Sequence, residues 1–229
     1  MERIYAFMPT MPSRYDCVGA AIESILPQVD VLYVFGFGCD LSSLPSHRSF
    51  VFSKDVNRGS ASRFALAKGL DGYLFFCDDD LAYPPYYVDG LCDKIEEKKR
   101  KAVVGWHGKT INPPLTSMFG TGPGRVDKNY PCLGTVLEDV EVDIIGTGAM
   151  AYHSQTLQID AADFRNDNLD DAEFSILCEN RAVPRIVIAH EKGDLKYLNP
   201  TGETIWDETV RNPNPLFKLI NSHKWKRHG

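Results

Sequence analysis

Two acidic stretches of this sequence, Asp78-Asp79-Asp80 and Asp170-Asp171, have the side chains that hold cations or take protons. The triplet ends the apolar run Tyr73-Leu74-Phe75-Phe76-Cys77, which follows a turn-forming Asp71-Gly72 pair and reads as a buried strand. Three carboxylates crowded beyond a strand end repel one another unless a cation or solvent compensates them. Hard oxygens of this kind suit Mg²⁺ or Mn²⁺, often bound by one or two carboxylates together with a substrate's phosphates. The triplet thus suggests a metal–phosphate site, and in isolation a solvated acidic turn explains it equally well. Asp170 and Asp171, taken alone, are the first-turn charges that a helix dipole favours. His190, at the end of the run Arg185 to Ala189, is by itself more simply a hydrogen-bonded structural histidine than a ligand. Arg14, Arg58 and Arg63, taken singly, are surface residues.

The elements that must position these groups alternate between strand and helix. Residues 4–8 and 31–35 read as strands, with a short third at 50–52. Apolar positions 18, 21, 22, 25 and 26 predict a helix over 15–26, ended by Pro27. A second helix is predicted at about 60–68, with Ser60 as its N-cap and Gly69 past its end. Pro84-Pro85 opens a third, running through Val88, Leu91, Cys92 and Ile95, and residues 102–106 return as a strand. This alternation implies an α/β fold with a mostly parallel sheet flanked by helices, whose ligands sit beyond the carboxyl ends of the strands. Residues 107–139 are rich in Gly and Pro and predict a long flap or disordered loop. Within it, Gly120-Thr121-Gly122-Pro123-Gly124 lacks the Gly-Lys-Ser/Thr ending of a phosphate loop. A strand over 141–145 leads into Gly146-Thr147-Gly148, followed by an adjoining strand at 149–152, a helix from 168 to about 180 and a buried strand over 185–190. Helical patterns recur at 203–210 and 216–221.

A chain of 229 residues suits one large domain or two small ones; no second compositional region appears, so a single domain over 1–229 is expected. The net charge of −6 gives no electrostatic footprint for nucleic acid or anionic membrane. No apolar run reaches the roughly eighteen residues of a membrane span, and Met1-Glu2-Arg3 does not open a signal peptide. Six scattered cysteines without a Cys-x-x-Cys pair suggest reduced thiols and a cytoplasmic setting. The basic stretch Lys224-Trp225-Lys226-Arg227-His228 is a solvated end or the start of a linker to a further domain.

The order of these features carries more than any one of them. Asn57-Arg58-Gly59-Ser60-Ala61-Ser62-Arg63 precedes the strand that ends in Asp78-Asp79-Asp80; a Gly-x-Gly turn and an acidic pair opening a helix follow. Over residues 3 to 190 this set resembles the nucleotide-sugar glycosyltransferases of the GT-A fold, especially their inverting, family-2-like branch. The family usually has a less acidic middle residue in its Asp-x-Asp, and the Gly-Thr-Gly match is loose.

The resemblance implies a metal-dependent transfer of a sugar from a nucleotide-sugar donor, of the uridine type, to a glycan, glycoprotein or other hydroxyl acceptor. Residues to about 106 would form the nucleotide half and 107–229 the acceptor half. Asp80 and Asp78 would hold Mn²⁺ or Mg²⁺, with His190 completing the shell. Asp78 is also placed toward the ribose, and Asp79 belongs to the same donor set. Pro9, Thr10 and Arg14 on the first loop, with Asp40, Asp55 and Asn57 after later strands, would meet the nucleotide. Arg63 would reach the base or the diphosphate through paired donors. Asp171, with Asp170 second, would take the proton of the attacking hydroxyl, giving inversion in one displacement. Trp106, Tyr83 and Trp206 are possible sugar platforms, each also explained by ordinary packing.

Three other readings compete. A haloacid-dehalogenase-like phosphatase also places Asp-x-Asp after a strand and uses Mg²⁺, but a hydroxyl residue is expected where Ala82 stands. A sugar-nucleotide pyrophosphorylase should carry a glycine-rich, lysine-bearing loop where this chain has Pro9-Thr10-Met11-Pro12. A non-enzymatic carbohydrate-binding module explains acids and aromatics without the βα alternation.

Overall fold

The computed structural model describes residues 2–36, 38–40, 50–54, 56–117, 122–202 and 204–226. In chain order its strands are β1 (Arg3–Pro9), β2 (Val31–Phe35), β3 (Phe50–Ser53), β4 (Gly72–Cys77), β5 (Leu81–Ala82), β6 (Val103–Gly105), β7 (Gly108–Ile111), β8 (Val126–Tyr130), β9 (Val140–Glu141), β10 (Ile144–Ile145), β11 (Ala149–His153), β12 (Arg185–Val187) and β13 (Lys196–Tyr197). Its helices are α1 (Val18–Ile25), α2 (Tyr87–Glu97), α3 (Asp170–Asn180), α4 (Ile205–Arg211) and α5 (Asn214–Ser222).

Eight strands form one sheet in the order β3-β2-β1-β4-β11-β6-β12-β9. Strands β11 and β9 run against their neighbours, and the other six point the same way. The mostly parallel α/β sheet read from the sequence is thus present. Period-two alternation divides each central strand between two cores. Ala6 and Met8 of β1, Phe75 and Cys77 of β4, and Ala149 and Ala151 of β11 share one core with α1 and α2. Tyr5 and Phe7, Leu74 and Phe76, and Met150 and Tyr152 share the other with Phe64 and Phe174.

On that second face Phe64 is a hub. Its ring stacks on Phe76 at 4.7 Å, Phe164 at 4.5 Å and Phe174 at 5.4 Å between centroids. It pins the segment that carries Arg63 to the end of β4. The helix expected at 60–68 is only a short 3₁₀ turn, Gly59–Phe64. Serine hydroxyls outcompete the helical pattern here. Ser62 Oγ accepts the Arg58 N–H at 2.9 Å, and Ser60 caps nothing but donates to Asp170.

Other boundaries also move. The first helix starts at Val18, not residue 15, because Pro12–Arg14 form their own 3₁₀ turn that buries Arg14. Pro84 and Pro85 precede α2 instead of lying in its first turn. The predicted strand 141–145 splits: β9 pairs with β12 in the main sheet, and β10 with β7 in a second. Buried Asp143 marks the break, its Oδ2 accepting the Ile111 N–H at 2.8 Å. The run expected to reach His190 stops at Val187, and His190 makes only an isolated antiparallel bridge to Val136.

The largest departure is the flap. Residues 107–139 contain the antiparallel pair β7–β8, which with β10 makes a three-stranded sheet. The middle of β8, Asp127-Lys128-Asn129, is exposed and polar, so it has no hydrophobic alternation to read. Replacing Phe64 with Ala is expected to cost about 3–5 kcal/mol, the range for a buried aromatic. Urea unfolding would show this as a lower midpoint with an unchanged slope.

Candidate active site

Strand β1 lies between β2 and β4, and the chain leaves β1 toward β2 before returning on the other side as β4. This is a topological switch point, where the loops beyond the carboxyl ends separate and leave a crevice. The end of β1 and the loop after it bring Pro9, Thr10 and Arg14 to it, and the residues just past β4 bring Asp78, Asp79 and Asp80.

Arg14 is 4% exposed, with Nε 3.7 Å from Asp79 Oδ1 and Nη2 4.0 Å from Asp80 Oδ2. Its Nη1 is buried without a hydrogen-bond partner. The Thr10 hydroxyl helps lower the Asp79 carboxyl, although its oxygen makes no hydrogen bond of good geometry. Burial nevertheless dominates and pushes Asp79 up to about 6. Asp80 rises further, to about 7, through burial and then the charges of Asp78 and Asp79.

Asp78 is held differently. Its Oδ1 accepts Arg63 Nη2 at 2.8 Å, and its N–H lies 2.7 Å from the Tyr83 hydroxyl and 3.0 Å from the Gly148 carbonyl. A Cβ on Gly148 would sit 1.6 Å from Asp78 Oδ2, so any other residue there would displace the Asp78 carboxylate from this position. The Gly146-Thr147-Gly148 turn is thus the wall against which the first carboxylate packs.

The same turn reaches the acidic pair at the start of α3. The Thr147 hydroxyl lies 2.7 Å from both Asp170 Oδ2 and Asp171 Oδ1, and the Thr147 N–H donates to Asp171 Oδ1 at 2.7 Å. Asp170 is enclosed: Ser60 donates to Oδ1, while Thr147 and Arg63 Nε, the latter at 3.2 Å, face Oδ2. Asp171 Oδ2 has no hydrogen-bond partner among the described residues. Burial and then Asp170 push Asp171 up to about 6, against the Thr147 hydrogen bonds and the charge of Lys109.

Several expected contributors stand elsewhere. The donors of Arg63 are engaged inside the protein, on Ser60 O, Thr147 O, Asp78 and Asp170, so it organises the carboxylates instead of presenting a free fork. Tyr83 is buried, its hydroxyl donating to the Gly148 carbonyl at 2.6 Å, and offers no ring face to a sugar. Trp106 is also buried, stacked on His190 at 5.1 Å. Trp206 is 45% exposed, but the Lys109 ammonium lies 4.6 Å from its ring centroid. Asp40 is exposed beside Tyr15, Asn57 is exposed ahead of the 59–64 turn, and Asp55 lies outside the described residues.

The donor set fits a divalent cation in part. Asp78 and Asp80 are hard, mutually repelling carboxylates, and a cation completed by substrate oxygens and water would relieve that repulsion. Among the described residues no three His, Cys, Asp or Glu side chains form a ready metal cluster. His190 does not fit the expected shell in this conformation: Nδ1 is 2.8 Å from the Ile188 carbonyl and Nε2 is 3.2 Å from that of Pro131.

Three features of the site have no clear sequence signal. Lys109 and His107 come from the stretch read as a flap; burial lowers the Lys109 ammonium and pushes His107 down to about 4. The segment after His190 crosses the crevice: β13 pairs with β5, Leu198 N–H donates to Asp80 O at 2.8 Å, and Thr201 N–H to Asp16 Oδ2 at 3.0 Å. Contacts this distant in sequence leave no local pattern.

No family model matches the chain, and no curated relative does. Among solved structures, a crystal structure of a mycobacterial protein is similar with a TM-score of 0.54 at 16% identity, over 96% of this chain and 75% of that one. A197 from STIV gives a TM-score of 0.43 at 16% identity, over 85% of this chain and 83% of that one. The first likeness concerns the fold alone. Among the described residues, no helix is long and apolar enough to cross a membrane.

The raised carboxyls have a consequence for stability. Asp79 and Asp80 bind protons more tightly folded than unfolded, so they favour the folded state less as pH rises from about 4 through 7. Asp80→Asn should therefore raise the melting temperature at pH 8 and change it much less at pH 4. Melting curves across that range check this, and an equal shift at both ends would remove ionisation of the buried carboxyl as the cause.

Proposed function

We propose that this chain is a GT-A-like, metal-dependent glycosyltransferase that moves a sugar from a nucleoside-diphosphate sugar, of the uridine type, to a hydroxyl acceptor with inversion. The observation that carries the reading is one connected network. Asp78 at the end of β4 is joined through Arg63 and Thr147 to Asp171, whose Oδ2 is open. Charge handling and proton removal thus meet at a single crevice.

In this reading Arg14, with its unpaired Nη1, faces the anionic donor. Asp80 and Asp78 would hold the divalent cation, which when bound offsets the charge developing on the departing diphosphate. The acceptor oxygen bonds to the anomeric carbon as the bond to the diphosphate oxygen breaks, its electron pair leaving with the nucleoside diphosphate. Asp171 Oδ2 takes the acceptor proton. A folded pKa of about 6 leaves Asp171 mostly ionised near neutrality yet basic enough to accept it. Asp170 has both oxygens engaged, which favours Asp171 for this step. The strap over β5 and the β7–β8 hairpin would limit water at the reacting carbon.

Thermal shift with nucleoside diphosphates and their sugars, in Mn²⁺, Mg²⁺ or chelator, tests the donor site, because a ligand of the native state raises its melting temperature. A shift with uridine diphosphate that chelator removes is expected, and Asp80→Ala should lose its metal-dependent part. Asp171→Asn should keep the shift while transfer falls by about 10²–10⁴-fold. Stabilisation only by phosphate analogues with Mg²⁺ would point instead to the phosphatase.

A further inference from the structure

We infer that Thr147 is a positioning residue: its hydroxyl joins Asp170 and Asp171 into one proton-sharing unit and leaves a single oxygen of that unit, Asp171 Oδ2, free to react. A threonine hydroxyl has one proton to donate, yet it lies 2.7 Å from a carboxylate oxygen on each side. The second short contact needs a proton borne by a carboxyl, so one proton is held across Asp170 Oδ2, Thr147 Oγ1 and Asp171 Oδ1.

The surroundings decide where that proton resides. Asp170 already receives the Ser60 hydroxyl on Oδ1 and faces the Arg63 guanidinium at Oδ2, while burial raises the Asp171 carboxyl. Asp171 faces Thr147 from the turn before β11, Lys109 from β7, and the charges of Arg63 and Asp170. The shared proton therefore belongs to Asp171 at low pH and leaves the unit as pH rises. The glycosyltransferase reading enters only in naming the acceptor hydroxyl as the source of the next proton. That proton moves to Asp171 Oδ2 as the acceptor oxygen forms its new bond.

The test is the titration of the Asp171 carboxyl carbon by NMR in the full chain, assigned with Asp171→Asn. Thr147→Val removes a donor from Asp171 and should raise its midpoint by about one pH unit, and Thr147→Ser should restore it. Ser60→Ala removes a donor from the Asp170 side of the unit, draws the shared proton toward that side, and should move the Asp171 midpoint down. That opposite sign is not expected of a merely structural role, and it decides the matter even if Thr147→Val does not fold. A Ser60→Ala midpoint that stays or rises overturns the inference, as does an unmoved midpoint in a folded Thr147→Val. With uridine diphosphate sugars and Mn²⁺, the acid limb of kcat/KM should follow the same shifts. If the midpoints move but the wild-type chain turns over no nucleotide sugar, the glycosyltransferase reading fails and the proton-sharing unit stands.

Discussion

A single buried guanidinium, Arg63, touches both acidic centres of the crevice. It is 3% exposed; Nη2 donates to Asp78, Nη1 donates to the Thr147 carbonyl, and Nε donates to the Ser60 carbonyl while lying 3.2 Å from Asp170. Charge in the interior is tolerated only when it is paired and hydrogen-bonded, and losing one partner of such a set typically costs about 3–5 kcal/mol. The β4 end, the Gly-Thr-Gly turn and the start of α3 are therefore bound to one another through this residue. Phe64, its neighbour, supplies the apolar anchor that lets a short turn carry so buried a charge.

The crevice remains under electrostatic strain. Arg63 and Arg14 together face Asp78, Asp79, Asp80 and Asp170, and burial first, with carboxylate repulsion behind it, makes Asp79 and Asp80 hold their protons more tightly. In the proposed reading, this excess of negative charge and the unpaired Arg14 Nη1 would be met by a ligand that brings both a cation and an anion. The acidic pair on α3 is handled by geometry instead: Asp170 is surrounded by donors, and Asp171 keeps one oxygen open. Two adjacent aspartates thus acquire different environments, the usual route to different acid–base behaviour.

What could be read in advance follows the range of the forces involved. β1, β2, β4 and β6 were legible because their residues are buried on both faces and form apolar runs bounded by turn residues. α3 was legible from its acidic first turn. The β7–β8 hairpin was not, because exposed Asp127-Lys128-Asn129 carries no alternation. The helix expected at 60–68 gives way to the 59–64 turn, where Ser60 takes a partner, Asp170, that no local window contains, and Ser62 accepts the nearby Arg58 N–H. Trp106, Tyr83 and His190 were legible as residue types only, and packing placed the first two in the core and the ring nitrogens of the third against carbonyls.

The sequence by itself determined the α/β alternation, the parallel strands and the position of an acidic triplet at a strand end, because hydrophobic period and turn chemistry are local. It also contained the Asp170-Asp171 pair and the glycine, Gly148, that faces Asp78. Only the tertiary structure decided that Arg63 serves both acidic centres, that Thr147 bridges Asp170 and Asp171, and that residues near 198 cross over Asp80. Those choices rest on hydrogen bonds and ion pairs between residues as far as about a hundred positions apart, whose geometry exists only once the sheet has brought the strand ends together.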